Sequence, residues 1–172
     1  IPYKKITNFS LQNFFKTWER VYNDQQFNFN SFVHKDFELI NLIFLKNRKL
    51  HLKCGIIDYQ SAFLGFAGWD LFCILENPRI NFRRNYNEDL IRYFYENTYQ
   101  IGDLETFRNQ YYLLNLGRQT RLLGRWVKLL NNGKKDYINY LQPTKNRITS
   151  TLTYIKDNEL RNIYEQIFKI NV

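Results

Sequence analysis

The sequence predicts a mainly α fold with a small β-hairpin near its start, and three observations carry that prediction. Apolar residues recur at helical spacing near the N-terminus and through most of the second half of the chain. Two short β-like runs, 42–45 and 50–57, flank the turn-forming Lys46-Asn47-Arg48-Lys49. The 172 residues are 44% hydrophobic and 18% aromatic, enough for one folded domain with a real apolar core.

Each element follows from local pattern. Leu11, Phe14, Phe15, Trp18 and Tyr22 space a helix over 11–22, with Ser10 as its expected N-cap. Residues 23–30 are polar and read as a loop. After the hairpin, Gly55, Gly65 and Gly68 interrupt the pattern, so 58–68 reads as a loop as well. From Trp69 onward the pattern is helical: 69–75 ending before Asn77-Pro78, then 89–99, then a long helix over 103–130 closed by Asn132-Gly133. Segments 136–141 and 147–168 complete the chain, with a break expected at Pro143. No repeat and no low-complexity linker is present.

Composition narrows the partners. The formal net charge is +9, but the basic residues are scattered rather than blocked into a tail, which favours a solvated surface over a nucleic-acid footprint. The surplus also suits phosphate-bearing substrates. Cys54 and Cys73 each sit in an apolar run, as expected of buried, reduced thiols in a cytoplasmic protein. Two cysteines with His34 and His51 are too few for a zinc site. No run approaches the roughly 20 apolar residues of a membrane span, and no nucleic-acid or membrane partner is expected. The Asn, Lys, Ile, Tyr and Phe bias resembles AT-rich coding and hints at a bacterial source. A chain opening at Ile1 without any Met reads as trimmed or a fragment.

The chemistry-bearing stretch runs from His34 to Asn41, with the spacing HxDxxxxN. Asp58 follows at the end of the apolar run Gly55-Ile56-Ile57. Phosphoryl transfer needs a carboxylate near the attacking hydroxyl and oxygen ligands for the cation that bridges the nucleotide phosphates. A hard cation such as Mg²⁺ accepts a carboxylate and an amide oxygen and keeps waters at its other positions. Asp36, Asn41 and Asp58 are the right types in the right order. Singly they read as a turn carboxylate, a loop amide and a cap; together they are far more specific.

These residues resemble the aminoglycoside and choline kinase superfamily, where HxDxxxxN precedes IDFxxxxxGxxxxDL. Here Ile57-Asp58-Tyr59, Gly65 and Asp70-Leu71 stand in those places. The resemblance implies Asp36 as catalytic base, Asn41 and Asp58 as Mg²⁺ ligands, and His34 and Asp70 as supports of the catalytic loop, with ATP as phosphoryl donor. Asp70 fits that last role physically, because a carboxylate opening a helix can accept from loop amides. Within the superfamily the chain resembles bacterial anomeric N-acetylmuramate/N-acetylglucosamine kinases of cell-wall recycling. It does so in Asp58-Tyr59-Gln60, Trp69-Asp70-Leu71, Asn77-Pro78-Arg79-Ile80, and the stretch from Arg118 to Gly124. The implied fold is the C-terminal lobe of a protein-kinase-like fold, with catalytic and metal-binding loops over 33–71 and a helical acceptor-binding region over 72–172.

The chain departs from the pattern at Lys35, where Arg is common, at Glu38, where His is frequent, and at Ser61, where an acidic residue is usual. Lys35 loses the bidentate fork of Arg, and Glu38 adds a second carboxylate beside Asp36. Nothing in residues 1–30 resembles the nucleotide-binding lobe: Lys4, Lys5 and Lys16 precede or lie on a helix. The expectation is a lobe of little or no activity alone, either a fragment or the product of a split or decayed gene.

Pocket candidates are fewer. Gln60 and Trp69 are candidate acceptor contacts, as are Arg118 and Arg121, which with Arg125 are spaced near one face of the long helix; a solvated basic stripe is the ordinary reading. Tyr93, Phe94, Tyr95, Tyr99, Phe107, Tyr111 and Tyr112 read as core. An amino-sugar acceptor ranks above an aminoglycoside or choline-like cation, because a cationic acceptor calls for an acidic pocket and these helices are basic. The rival of another class is a degenerate lobe acting only as a binding module.

Overall fold

The structure is a computed structural model and describes residues 8–80, 86–98 and 102–168. Six helices and four short strands are described: α1 (Asn8–Asn23), β1 (Ser31–Val33), β2 (Leu42–Phe44), β3 (Cys54–Ile56), β4 (Phe63–Gly65), α2 (Trp69–Leu75), α3 (Asn87–Asn97), α4 (Leu104–Asn131), α5 (Leu141–Leu152) and α6 (Asn158–Phe168). They form two compact units, one of residues 27–115 and one of 1–26 with 116–172. The 28-residue α4 contributes its first part to the former and its remainder to the latter.

In the unit of residues 27–115, β2 and β3 pair antiparallel with Leu42 opposite Ile56 and Phe44 opposite Cys54. A turn of 3₁₀ helix, Leu50–Lys53, precedes β3, so the second β-like run is shorter than its sequence implied. The loop expected over 58–68 instead contains β4, which pairs antiparallel with β1, Val33 opposite Phe63 and Ser31 opposite Gly65. A Cβ at Gly65 would meet the Phe63 ring at 2.6 Å and Val33 Cγ2 at 3.1 Å, so glycine lets these side chains close over the strand. The core of this unit joins Val33 with Phe72 and Cys73 of α2, Ile91 of α3 and Tyr111 of α4. Cys54, expected to be buried, is exposed: with three residues per strand, the hairpin leaves it without a covering layer. Ile40, Phe44 and Leu50 are exposed on the same hairpin region.

The other unit is helical. On α1, Phe14, Thr17, Trp18 and Val21 follow the i, i+3, i+4, i+7 rule, and Thr17 and Val21 are buried. Ser10 lies inside α1 rather than capping it, because the helix already includes Asn8. Phe14 and Trp18 lie against Tyr164 of α6, with ring centroids 5.5 and 6.2 Å away. On α5, Thr144, Arg147, Ile148, Thr151 and Leu152 make one buried stripe. Pro143 does not break the chain as expected. It is the third residue of α5, where its missing N–H has no intrahelical acceptor to satisfy. The interruption falls later, where Asp157 caps α6 by accepting from the Leu160 amide at 2.8 Å.

Two helix boundaries shift by one or two residues. The helix expected over 89–99 spans Asn87–Asn97, and that expected over 103–130 spans Leu104–Asn131, with Asp103 accepting from the Thr106 amide at its start. For α4 the Asp103 cap sets the start; α3 begins after Tyr86, which makes no side-chain capping bond. Tyr99, Lys4 and Lys5 lie outside the described residues. Among the described residues no helix is long and apolar enough to cross a membrane.

Candidate functional site

The segment after β1 is held by α2. Asp70, in the first turn of α2, accepts from the backbone amides of His34 at 2.7 Å and Lys35 at 2.9 Å, one per carboxylate oxygen. The geometry follows from the sequence: an acidic residue opening a helix sits in a positive field and has both oxygens to offer. Cys73, one turn on, points its thiol at the Lys35 carbonyl at 3.2 Å. The His34 ring is buried, and its Nε2 lies 2.8 Å from the Ile57 carbonyl. A carbonyl only accepts, so Nε2 carries the proton. His34 thereby ties the segment after β1 to the residue preceding Asp58.

Asn41 completes the tie. Its Nδ2 donates to the Asp36 carbonyl at 2.8 Å, and its own carbonyl accepts from the Ile57 amide at 3.1 Å. Asp36, Asn41 and Asp58 are thus drawn together by contacts of Asn41 and the residue next to Asp58. Backbone bonds close the loop further: Glu38 N–H donates to the Asp36 carbonyl and Asn41 N–H to the Glu38 carbonyl, both at 2.9 Å. Among the described residues the Asp36 carboxylate takes no hydrogen bond, and Asp36 is exposed. It faces solvent with its full accepting capacity.

Among the described residues, two of the three non-glycine residues at positive φ lie here: Lys35 at 77° and Asp58 at 69°. Aspartate tolerates this region better than lysine does, and backbone strain of this kind gathers at functional sites. The Asp58 Oδ1 accepts from Gln60 Nε2 at 2.7 Å, and Asp58 is exposed. Asn41 Oδ1 is the amide's remaining end once Nδ2 is engaged. These are two hard oxygen donors with solvent beside them, and the set fits Mg²⁺, which retains several waters. Among the described residues no cluster of three or more His, Cys, Asp or Glu side chains stands ready for a metal. A cation here would draw its remaining ligands from water and phosphate.

The other expected residues are placed as follows. Gln60 is engaged with Asp58. Trp69 is half-buried between Phe63 and Phe72, and its Nε1 has no partner among the described residues. Arg118 and Arg121 belong to the unit containing residues 116–172, where Arg118 is buried and Arg121 and Arg125 are exposed, so the three do not make one solvated stripe. Of the aromatic set, Phe107, Tyr111 and Tyr112 are buried, whereas Tyr93 is 65% exposed. Arg79 was missed as part of the site: its Nη1 lies 2.6 Å from Glu38 Oε2. The only signal for it was the opposite charge of two residues far apart in sequence.

Comparison with known proteins gives a consistent result. The family model of the ecdysteroid kinase-like family matches residues 3–103. An N-acetylmuramate/N-acetylglucosamine kinase of Caulobacter vibrioides is 26% identical over 111 residues, covering 64% of this chain and 30% of that protein. One of Neisseria meningitidis serogroup B is 23% identical over 129 residues, covering 67% of this chain and 37% of that protein. The chain thus spans about a third of the length of the curated relatives it matches.

Proposed function

We propose a function on a stated premise: this chain belongs to the ecdysteroid kinase-like family, and it forms the catalytic lobe of an ATP- and Mg²⁺-dependent phosphotransferase acting on an alcohol. The observation that carries this reading is the loop from His34 to Asn41. It hangs from Asp70 by two backbone amides, carries an Asp36 carboxylate without a hydrogen bond, and is tied through Asn41 to the residue before Asp58.

Asp36 accepts a hydrogen bond from the acceptor hydroxyl and so aims its oxygen lone pair at the γ-phosphorus. As the new O–P bond forms, the bond to the β,γ-bridging oxygen breaks, ADP leaves, and the hydroxyl proton passes to Asp36. Asn41 and Asp58 are the residues that would hold Mg²⁺, which would supply neutralisation of the phosphate charge. Asp70 and His34 do no chemistry; they fix the loop so that Asp36 need not be ordered at the moment of reaction.

The acceptor proposed is an amino sugar of the N-acetylmuramate or N-acetylglucosamine type. Two relatives carrying that name support it. The family description favours a second reading, a steroid hydroxyl. The nucleotide needs a clamping lobe, in the same polypeptide or a separate chain. The exposed Ile40, Phe44 and Leu50 beside the candidate site offer an apolar seat for it. We propose the cytoplasm, where ATP is supplied, as its place of action.

The test is transfer of labelled γ-phosphate from ATP or GTP by the full-length polypeptide that carries this sequence. The acceptors are N-acetylmuramate, N-acetylglucosamine, an aminoglycoside, choline and an ecdysteroid. Labelled sugar phosphate supports the proposal; a labelled steroid supports the second reading. No transfer to any alcohol, with nucleotide still bound, would favour a binding module over an enzyme.

A further inference from the structure

Helix α2 holds the loop from His34 to Asn41 at three levels. Its first turn supplies Asp70 to the amides of His34 and Lys35, and its middle supplies the Cys73 thiol to the Lys35 carbonyl. Just past its end stands Arg79, whose guanidinium meets the Glu38 carboxylate at 2.6 Å. Arg79 is itself anchored, because its amide donates to Oδ1 of the buried Asn77 at 3.0 Å. Glu38 is the middle of the loop: its N–H bonds the Asp36 carbonyl and its carbonyl takes the Asn41 N–H. Both side chains are partly shielded, Glu38 17% and Arg79 37% exposed, so water screens this pair less than it would a fully exposed one.

We propose that Arg79 is a positioning residue: its ion pair with Glu38 fixes the middle of the loop from outside it and so steadies the spacing between Asp36 and Asn41 that the loop's own bonds set. Asp70 fixes only the near end, at residues 34 and 35. Without Arg79 the turn through Glu38 keeps its backbone bonds but loses its side-chain hold on the segment after α2, so the Asp36 and Asn41 side chains are held in register less firmly. The pair also neutralises Glu38, the added carboxylate two residues from Asp36, and pulls its charge toward α2. A histidine at position 38 would not make this pair with an arginine, so the two residues act as a unit in this chain.

The inference rests on the phosphotransferase reading only for its kinetic arm. In the full-length polypeptide, Arg79→Gln and Glu38→Gln are each expected to lower kcat about tenfold while acceptor and nucleotide KM stay within about twofold. The double variant is expected to be no worse than either single one, because the pair is one interaction. The exchanged pair Glu38→Arg with Arg79→Glu should recover part of the loss. Independently of any activity, amide hydrogen exchange at Glu38 and Asn41 should quicken in Arg79→Gln with the melting temperature almost unchanged. Unchanged exchange at those two amides overturns the proposal, and so do single-variant losses that add in the double variant. A rise in acceptor KM with kcat intact also overturns it, since Arg79 would then touch the acceptor. If the wild type transfers no phosphate, the functional reading fails while the exchange measurement still decides the positioning role.

Discussion

At the scale of the residue, Asp70 shows how one carboxylate sets a site it does not enter. It opens α2 and takes two loop amides that would otherwise go unpaired. Asp70→Asn keeps the shape but offers one accepting oxygen for two donors, and should cost about 1–3 kcal/mol in a urea titration. Tyr111 makes the opposite case. Its hydroxyl is buried without a partner among the described residues, and burial, with the nearby Glu76 charge, pushes its pKa well above 10.0. Tyr111→Phe removes an unsatisfied polar group and should hold or raise stability by about 1 kcal/mol. The pH dependence has a definite sign. Above pH 10 the unfolded tyrosine ionises while the folded one stays neutral, so its contribution falls as pH rises, and the Phe variant should flatten that alkaline loss. A destabilised Phe variant would mean the hydroxyl is bonded after all.

At the scale of the element, the sequence was most legible where the apolar period is long. The presence of α1 and α4 and the extent of α2 follow from spacing, but the face of α1 does not: Leu11, Phe15 and Tyr22 of its expected apolar set are exposed, and Thr17 and Val21 are buried instead. The pair β1 and β4 was not legible: each strand has three residues, too few to alternate visibly, and each finds its partner across the whole hairpin. Pro143 misled because proline breaks a helix interior but suits a first turn. The end of α4 could be read from Asn132-Gly133. Gly133 has φ +84°, its N–H bonds the Leu130 carbonyl at 2.9 Å, and the Lys134 N–H bonds that of Leu129 at 3.0 Å. Nothing lies within 4 Å of a Cβ at Gly133, so Gly133→Ala incurs only the left-handed backbone. The expected loss is about 1–2 kcal/mol by thermal or urea unfolding. No loss would mean the helix end relaxes.

At the scale of the molecule, the spacing of Asp36, Asn41 and Asp58 pointed to one place, and the fold brings them to one place through Asn41 and Ile57. Their partners in the loop were less visible. The Glu38–Arg79 pair spans the loop and the turn after α2, and no local pattern encodes an ion pair between such distant positions. The basic character of the chain also resolves unevenly. Arg20 joins Asp157 and Glu159, while Arg108 joins Glu88, so part of the surplus cation is structural rather than a ligand surface. What holds the site is a small set of contacts, from Asp70 and Cys73 of α2 and from His34 and Asn41. The account stands or falls on Asp36 in the full-length polypeptide. Phosphoryl transfer by Asp36→Asn should fall by about three orders of magnitude or more, with acceptor affinity by calorimetry largely intact. Turnover near that of the wild type would contradict it.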